Sequence, residues 1–232
     1  SEELCQLFPR TGQLPLLHLE PTEARAGIRR PFNAGVILSG GQAPGGHNVI
    51  AAVYDALKAH HAASRLYGFL MGPGGLLKHQ FIELHKDLID RYRNSGGFDM
   101  IGSDRTKIER VEDFEKVITI ARRLDLSALI IIGGDDSATN AALLAEYCAE
   151  QGEKLCVVGC PKTIDGDLKN RYIETSFGFD TCAKVYSELV GNIQRDCYSA
   201  KKYWHFIKLM GRSASHLTLE CALQTQPTMA II

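Results

Sequence analysis

The sequence predicts an α/β protein with a doubly wound, mainly parallel sheet and helices on both faces. Three observations support this class. Strand-like and helix-like segments alternate along most of the chain. The strand-like segments are continuous apolar runs such as LIIIGG, residues 129–134, which is typical of strands buried on both faces. Glycine-rich or charged turns follow several of these strands, and ligands bind such sheets at the carboxyl ends of strands.

Each element follows from its local pattern of apolar residues. The continuous apolar runs that predict strands lie at 32–40, 64–72, 127–134, 154–161, 203–211 and 228–232. The segments whose apolar residues recur at helical spacing lie at 46–60, 81–93, 111–124, 137–150, 177–196 and 213–225. The helix at 111–124 also has an acidic first turn, which suits the helix dipole.

The domain organisation follows from where this alternation begins and stops. Residues 1–31 carry several prolines and little periodicity, so we expect an extended arm or a partner-contact segment. Residues 32–170 are predicted to form one α/β domain. Residues 171–232 begin a second α/β domain that ends inside the apolar run TMAII, which predicts the N-terminal part of a longer protein.

The bulk composition excludes several classes of protein. The 232 residues are 45% hydrophobic and 23% charged with a net charge of −1, which predicts a soluble globular protein and no general affinity for nucleic acid. No apolar run approaches the roughly 20 residues of a membrane span, and no signal peptide is evident. The seven cysteines contain no C-x-x-C pair, so we expect free thiols in a cytoplasmic protein.

The first motif is SGGQAPGGHN, residues 39–48, between a predicted strand and a predicted helix. Glycines there let backbone N–H groups approach an anion at the helix N-terminus. The motif lacks the G-K-[ST] ending of a Walker A loop. It also lacks the dinucleotide pattern G-x-G-x-x-G, which disfavours a nucleotide-dependent dehydrogenase.

The second motif is GGDDS, residues 133–137, at the start of a predicted helix. Capping explains one aspartate, because helix N-termini favour negative side chains. It does not readily explain two adjacent aspartates. A Mg²⁺ ion that bridges a carboxylate and a bound phosphate does explain them.

Two further motifs also follow predicted strands. GCPKTIDGDLKN, residues 159–170, supplies a lysine, a threonine and two aspartates within one loop. A carboxylate there can accept a hydroxyl proton, and a lysine can neutralise a transferring phosphoryl group. KLMGRSASH, residues 208–216, places Arg212 at a helix start, where it could clamp a phosphate or carboxylate.

Together these motifs resemble those of the phosphofructokinase family over residues 33–232. The shared features, in order, are GGQAPGGHN, GGFDMIGSDR, GGDDS, PKTIDGD and MGR. The resemblance implies two similar α/β domains with the active site between them. Residues 32–170 would then be the phosphoryl-donor domain, and residues 171–232 would begin the sugar-phosphate domain.

The resemblance also implies a mechanism, in-line phosphoryl transfer to the C1 hydroxyl of fructose 6-phosphate. Asp165 would take the hydroxyl proton, Asp167 would support the loop, and Asp135 would be the Mg²⁺ ligand. The residues implied to act in catalysis are Asp165, Lys162, Asp136 and Arg212. Those implied to bind the donor are Gly41, Arg105, Gly134, Asp136 and Lys162. Those implied to bind the sugar phosphate are Thr163, Ile164, Asp165, Lys202, Tyr203, Met210, Gly211 and Arg212.

Two positions indicate which phosphoryl donor is used. ATP-dependent members of the family usually have glycine where this chain has Asp136 and Lys162, so the pair resembles the pyrophosphate-dependent branch. A carboxylate at position 136 would repel the α-phosphate of ATP, which pyrophosphate lacks, and Lys162 would add positive charge for bound pyrophosphate. We therefore expect pyrophosphate and fructose 6-phosphate as substrates of a reversible glycolytic reaction.

Two alternatives stay open at this point. An ATP-dependent phosphofructokinase requires an ATP site that tolerates Asp136 and Lys162. A non-catalytic or incomplete subunit that binds phosphate ligands has no need of intact GGDDS and PKTIDGD motifs. The resemblance further implies a homo-oligomer, dimeric or larger, in which a neighbouring subunit contributes Lys202 and Tyr203 to a shared sugar site.

Overall fold

A computed structural model describes residues 2–15 and 30–232. The chain divides into two compact units. The first comprises Ser1–Gly41 with Gly46–Cys160, and the second comprises Gln42–Gly45 with Pro161–Ile232. The domain boundaries predicted after residues 31 and 170 stay predictions.

The first unit contains a mainly parallel sheet. Its strands are β1 (Asn33–Ser39), β2 (Arg65–Phe69), β3 (Phe81–Glu83), β4 (Ser103–Asp104), β5 (Leu126–Gly133) and the first part of β6 (Cys156–Thr163). Their order is β3-β2-β1-β5-β6, and β4 also pairs with β1. The central strand β1 is parallel to β2, β4 and β5, whereas β3 is antiparallel to β2. The predicted α/β class with a mainly parallel sheet is confirmed.

The helices of the first unit are α1 (Glu2–Leu7), α2 (Gly46–His60), α3 (Gly72–Leu77), α4 (Lys86–Tyr92), α5 (Val111–Arg123) and α6 (Asp135–Glu150). Helices α2, α3, α5 and α6 contact the sheet, and α4 contacts α2. In α5 the buried residues Phe114, Val117, Ile118 and Ala121 are three and four positions apart, so they form one apolar stripe facing the core. Among the helices of residues 2–15 and 30–232, none combines the length and hydropathy that a membrane span requires.

The second unit is built around a helix pair. Strand β7 (Phe177–Gly178) pairs in parallel with the end of β6, and it leads directly into α7 (Phe179–Ala200). Helix α8 (His216–Thr225) contacts α7. Their small core consists of Ala183, Leu217 and Cys221, and partly buried side chains, including those of Ile164, Phe179 and Tyr186, pack against it.

The predicted strands at 203–211 and 228–232 are wrong. In the described part of the chain neither segment forms a strand. Apolar side chains there are exposed, Trp204 by 83% and Phe206 by 95%. A strand needs hydrogen-bonding partners and a surface that covers its apolar face. The short strand β7, and neither of these two segments, pairs with the end of β6.

The predicted helix at 81–93 is wrong in its first half. Phe81–Glu83 forms β3, paired with Tyr67–Phe69, and α4 begins only at Lys86. The Phe81 ring packs edge-on against Tyr67 and Phe69, with centroids 5.7 and 6.0 Å apart. Aromatic packing across the strand pair therefore outweighs the local helical spacing.

Two other segments also differ from prediction. Residues 72–77, GPGGLL, form α3, where no helix is predicted. Within the arm predicted to be extended, Glu2–Leu7 is helical, and the Arg10 and Thr11 N–H groups donate to the Glu146 carboxylate on α6. The rest of that arm, residues 16–29, lies outside the described residues.

A buried histidine fastens the start of α2 to the loop that follows α4. The His47 Nε2 atom accepts a hydrogen bond from Met100 N at 3.0 Å, which leaves the ring proton on Nδ1 to donate to Ser95 Oγ at 2.9 Å. The ring stacks edge-on against Tyr92 and is almost wholly buried. Burial lowers the pKa of His47, and the Asp99 carboxylate only partly offsets that effect.

We expect acid to destabilise the protein through His47. The pKa of His47 in the folded protein lies below its ordinary value of 6.5, so the unfolded chain binds the proton more tightly. The stabilisation is present above pH 6.5 and is lost as pH falls from there towards the lower folded pKa, by about 1.4 kcal/mol per unit of pKa difference. Urea unfolding on both sides of pH 6.5 measures this loss, which should shrink in His47→Gln. An equal loss in both proteins would contradict the assignment.

Candidate active site

The first unit brings two predicted donor-binding residues together. In the glycine-rich turn, Gly40 has a φ of +85° and its N–H donates to Asp104 O at 2.8 Å. The Ser103 hydroxyl donates to Gly40 O at 3.1 Å. The Arg105 Nη2 atom lies 3.1 Å from where a Cβ on Gly41 would be. The Arg105 guanidinium therefore lies close to the backbone of the turn, an arrangement suited to an anion.

The GGDDS motif forms the junction between β5 and α6. Gly133 has no room for a side chain, because a Cβ there would collide with Ser137 and lie 3.0 Å from Ser39 O. The buried Ser137 hydroxyl donates to Ser39 Oγ at 2.7 Å, which joins the first turn of α6 to the end of β1. Gly134 precedes the helix, and Asp135 and Asp136 occupy its first turn. Asp135 is half-buried and Asp136 is exposed.

The oxygen ligands that this junction offers fit Mg²⁺. In the described part of the chain, no group of three or more His, Cys, Asp or Glu side chains could form a protein-only metal cage. Mg²⁺ usually takes one or two protein carboxylates and completes its shell with water and substrate phosphates. A half-buried Asp135 at the end of a buried strand supplies that kind of ligand.

The second unit holds the predicted general base in a defined position. Thr163 Oγ1 donates to Asp165 Oδ2 at 3.0 Å and accepts from Asp165 N at 3.0 Å. Arg212 Nε lies 3.6 Å from Asp165 Oδ2, and Arg212 Nη1 lies 3.8 Å from Asp167 Oδ2. The Asp165 side chain is 20% exposed, so it is both fixed and accessible.

The loop around Asp165 is anchored on both sides. Lys162 and Thr163 are each only 7% exposed, because β6 continues past its predicted end at residue 161 and pairs with β7. Gly166 has a φ of +73°, and a Cβ there would lie 2.9 Å from the Phe179 ring. Ile164 packs against the α7–α8 core.

The remaining predicted sugar-site residues lie on the segment before Arg212. The Lys202 ammonium lies 5.5 Å from the centre of the Tyr203 ring. Lys202, Tyr203, Met210 and Gly211 are all exposed. Sequence reasoning assigned no role to Asp104, although it lies in the motif GGFDMIGSDR, because its side chain accepts a hydrogen bond from Gly74 N, which is distant in sequence.

The predicted residues thus fall into two sets, and each set belongs to one unit. Gly41, Arg105, Gly134, Asp135 and Asp136 lie in the first unit. The second unit contains Lys162, Thr163, Ile164, Asp165, Lys202, Tyr203, Met210, Gly211 and Arg212. The first set provides hydrogen-bond donors and carboxylates at strand ends. The second provides a carboxylate base that is held by hydrogen bonds and lies beside a guanidinium.

Comparison with known proteins identifies relatives over the whole chain. A protein of Porphyromonas gingivalis named pyrophosphate–fructose 6-phosphate 1-phosphotransferase is 64% identical over 232 residues, and one of Entamoeba histolytica with the same name is 56% identical. A Solanum tuberosum protein named as the beta subunit is 51% identical. All of this chain is covered in each case, but it spans only 41–42% of the relatives' length.

Solved structures share the fold of this chain, and a family model matches most of its length. Pyrophosphate-dependent phosphofructokinases of Nitrosospira multiformis and Marinobacter aquaeolei superpose with TM-scores of 0.75 and 0.73 at 23% and 24% identity. These matches cover 86% and 84% of this chain and about half of those chains, 51% and 50%, and they show the shared fold. The family model described as Phosphofructokinase matches residues 33–232. The chain therefore belongs to the phosphofructokinase family.

Proposed function

We propose that this chain forms part of an enzyme that transfers a phosphoryl group reversibly from pyrophosphate to the C1 hydroxyl of fructose 6-phosphate. The observation that carries the proposal is Asp165, a fixed and accessible carboxylate bonded to Thr163 and close to Arg212. Relatives 51–64% identical to the chain bear the corresponding name. The family resemblance supplies the assignment of substrates to the two units.

Asp165 acts on the sugar. Its carboxylate accepts the proton of the C1 hydroxyl as that oxygen attacks phosphorus, while the bond from phosphorus to the bridging oxygen breaks and phosphate leaves. Thr163 orients the carboxylate through its hydroxyl, and Arg212 binds the sugar phosphate. Ile164, Met210 and Gly211 shape the same site, and Lys202 and Tyr203 contribute from a neighbouring subunit.

The first unit binds the donor. The backbone at Gly41 and Gly134 and the guanidinium of Arg105 receive pyrophosphate oxygens. Asp135 would hold Mg²⁺, which when bound neutralises charge on those oxygens. Asp136 disfavours the α-phosphate of ATP, and Lys162 stabilises charge on the transferring group.

We expect the donor to be revealed by one assay on the native polypeptide. Fructose 6-phosphate and Mg²⁺ are supplied with pyrophosphate or ATP, and fructose 1,6-bisphosphate is measured. Turnover should occur with pyrophosphate and be at least about tenfold weaker in kcat/KM with ATP, since one repelled phosphate is worth about 1.4 kcal/mol. Turnover with ATP alone would identify the ATP-dependent alternative.

Assembly is part of the proposal. The Solanum tuberosum relative is named a beta subunit, and an Arabidopsis thaliana relative 42% identical to this chain is named alpha 2. Those names support an oligomer of two or more subunits with a shared sugar site. No turnover with either donor, together with measurable pyrophosphate binding, would favour the non-catalytic subunit. The cytoplasmic location predicted from the sequence stays a prediction.

A further inference from the structure

The side chain of Asp104 gathers hydrogen-bond donors from two separate segments. Its carboxylate accepts from Gly74 N at 3.2 Å, near the start of α3. It also accepts from Thr106 N at 3.2 Å and from Thr106 Oγ1 at 2.5 Å. Three donors fix the orientation of this half-buried carboxylate, since bonds to a charged acceptor are stronger than neutral ones.

The backbone of Asp104 is fixed as well. Asp104 is paired with Ser39 at the end of β1, and its carbonyl accepts the Gly40 N–H at 2.8 Å. The residue therefore joins the glycine-rich turn through its main chain and α3 through its side chain. No room remains for a larger group at Gly74, where a Cβ would collide with the Asp104 carboxylate.

Arg105 is the residue between the two positions that this network holds. Asp104 is fixed by β1 and by Gly74, and Thr106 is fixed by the Asp104 carboxylate. The exposed Arg105 side chain extends from the main chain that these contacts hold to the backbone of Gly41. A ligand that binds an exposed arginine must order both its side chain and its main chain, and a main chain that is already fixed removes the second of these costs.

Helix capping explains only part of this arrangement. Helix α3 has no side-chain cap at Met71, so the bond from Gly74 N is a substitute cap. Capping α3 does not require a contact with Thr106, yet Asp104 accepts two hydrogen bonds from that residue. We propose that Asp104 is a positioning residue that sets Arg105 to bind the pyrophosphate donor, an inference that rests on the proposed function.

A double-mutant cycle tests the coupling. Pyrophosphate affinity is measured by calorimetry on the native polypeptide, Asp104→Ala, Arg105→Ala and the double variant, and KM is measured for both substrates. Asp104→Ala should weaken pyrophosphate binding and raise its KM about tenfold, the equivalent of one charge-assisted contact, with KM for fructose 6-phosphate nearly unchanged. The double variant should bind about as weakly as Arg105→Ala alone, because Asp104 acts through Arg105.

Conservative and neighbouring variants separate positioning from general stability. Asp104→Asn keeps an oxygen for Gly74 N and Thr106 N, so it should retain most of the affinity. Lys107→Ala removes an exposed neighbour that pairs with Glu109 at 3.2 Å, and should bind pyrophosphate as the native protein does. Thermal unfolding is measured on every variant.

Two kinds of result overturn the inference. Additive losses in the cycle, or an Asp104→Ala protein that loses thermal stability while both KM values change equally, would show a purely structural Asp104. Absence of pyrophosphate binding in the native protein would overturn the proposed function together with this inference. The two failures are distinguishable, because only the first leaves native pyrophosphate binding intact.

Discussion

Asp165→Ala is expected to lower kcat about 10²–10⁴-fold, the usual contribution of a general base. The carboxylate is the group that accepts the C1 hydroxyl proton in the proposed reaction, and alanine leaves no acceptor. KM for fructose 6-phosphate should change much less, because the base acts mainly in the transition state. Initial rates at saturating pyrophosphate measure both constants.

Asp165→Asn is the sharper form of this test. The amide has nearly the same shape and its oxygen can still accept the Thr163 hydroxyl bond, which is 3.0 Å long in the native protein. It cannot take up the proton, so kcat should fall nearly as far as in the alanine variant. Asp180→Asn, at an exposed aspartate paired with Lys184, is the matched control and should leave kcat unchanged.

The outcome that removes Asp165 from the base role is a retained kcat in a folded Asp165→Asn protein. Circular dichroism and thermal unfolding establish that the variant is folded. The loop is anchored independently by Ile164 in the α7–α8 core and by the close contact of Gly166 with Phe179. A loss of kcat in a protein of normal stability therefore reports on chemistry.

The sequence predicts a helix or strand well where the spacing of its apolar residues alone determines which face is buried. Helix α2 matches its predicted range of 46–60, because its apolar residues Ile50, Tyr54 and Leu57 recur at helical spacing and are buried. The pattern fails where a partner decides the structure. Phe81–Glu83 is a strand because β2 offers aromatic neighbours, and residues 203–211 form no strand in the described chain.

The candidate site divides in the same way. The positions of Asp135 and Asp165 after strands could be predicted from the sequence, because each follows an apolar run with a glycine nearby. The burial of Lys162 could not be predicted from the sequence. Lys162 belongs to a polar motif that is typical of a loop, but β6 continues through it. The role of Asp104 could not be predicted either. Asp104 accepts hydrogen bonds from the backbone N–H groups of Gly40 and Gly74, and a residue's type does not show which acceptor its backbone N–H group meets.

Asp136→Gly is expected to shift donor preference towards ATP, with the ratio of kcat/KM for ATP to that for pyrophosphate rising about tenfold or more. Asp136 is exposed in the first turn of α6, where backbone N–H groups and the helix dipole attract anions. A carboxylate there competes for those N–H groups and repels an additional phosphate. Pyrophosphate has no α-phosphate, so it gains less from the removal of that charge.

Asp136→Asn distinguishes charge from volume in this argument. If repulsion excludes ATP, the asparagine variant should show most of the shift; if crowding excludes it, only glycine should. Glycine within a helix costs up to about 1 kcal/mol, so the stability of both variants is measured by thermal unfolding. Combining Asp136→Gly with Lys162→Gly should enlarge the shift, because the lysine charge favours pyrophosphate, whose negative charge is concentrated on a smaller ion. An unchanged donor ratio in all three variants would leave these two positions without a role in choosing the donor.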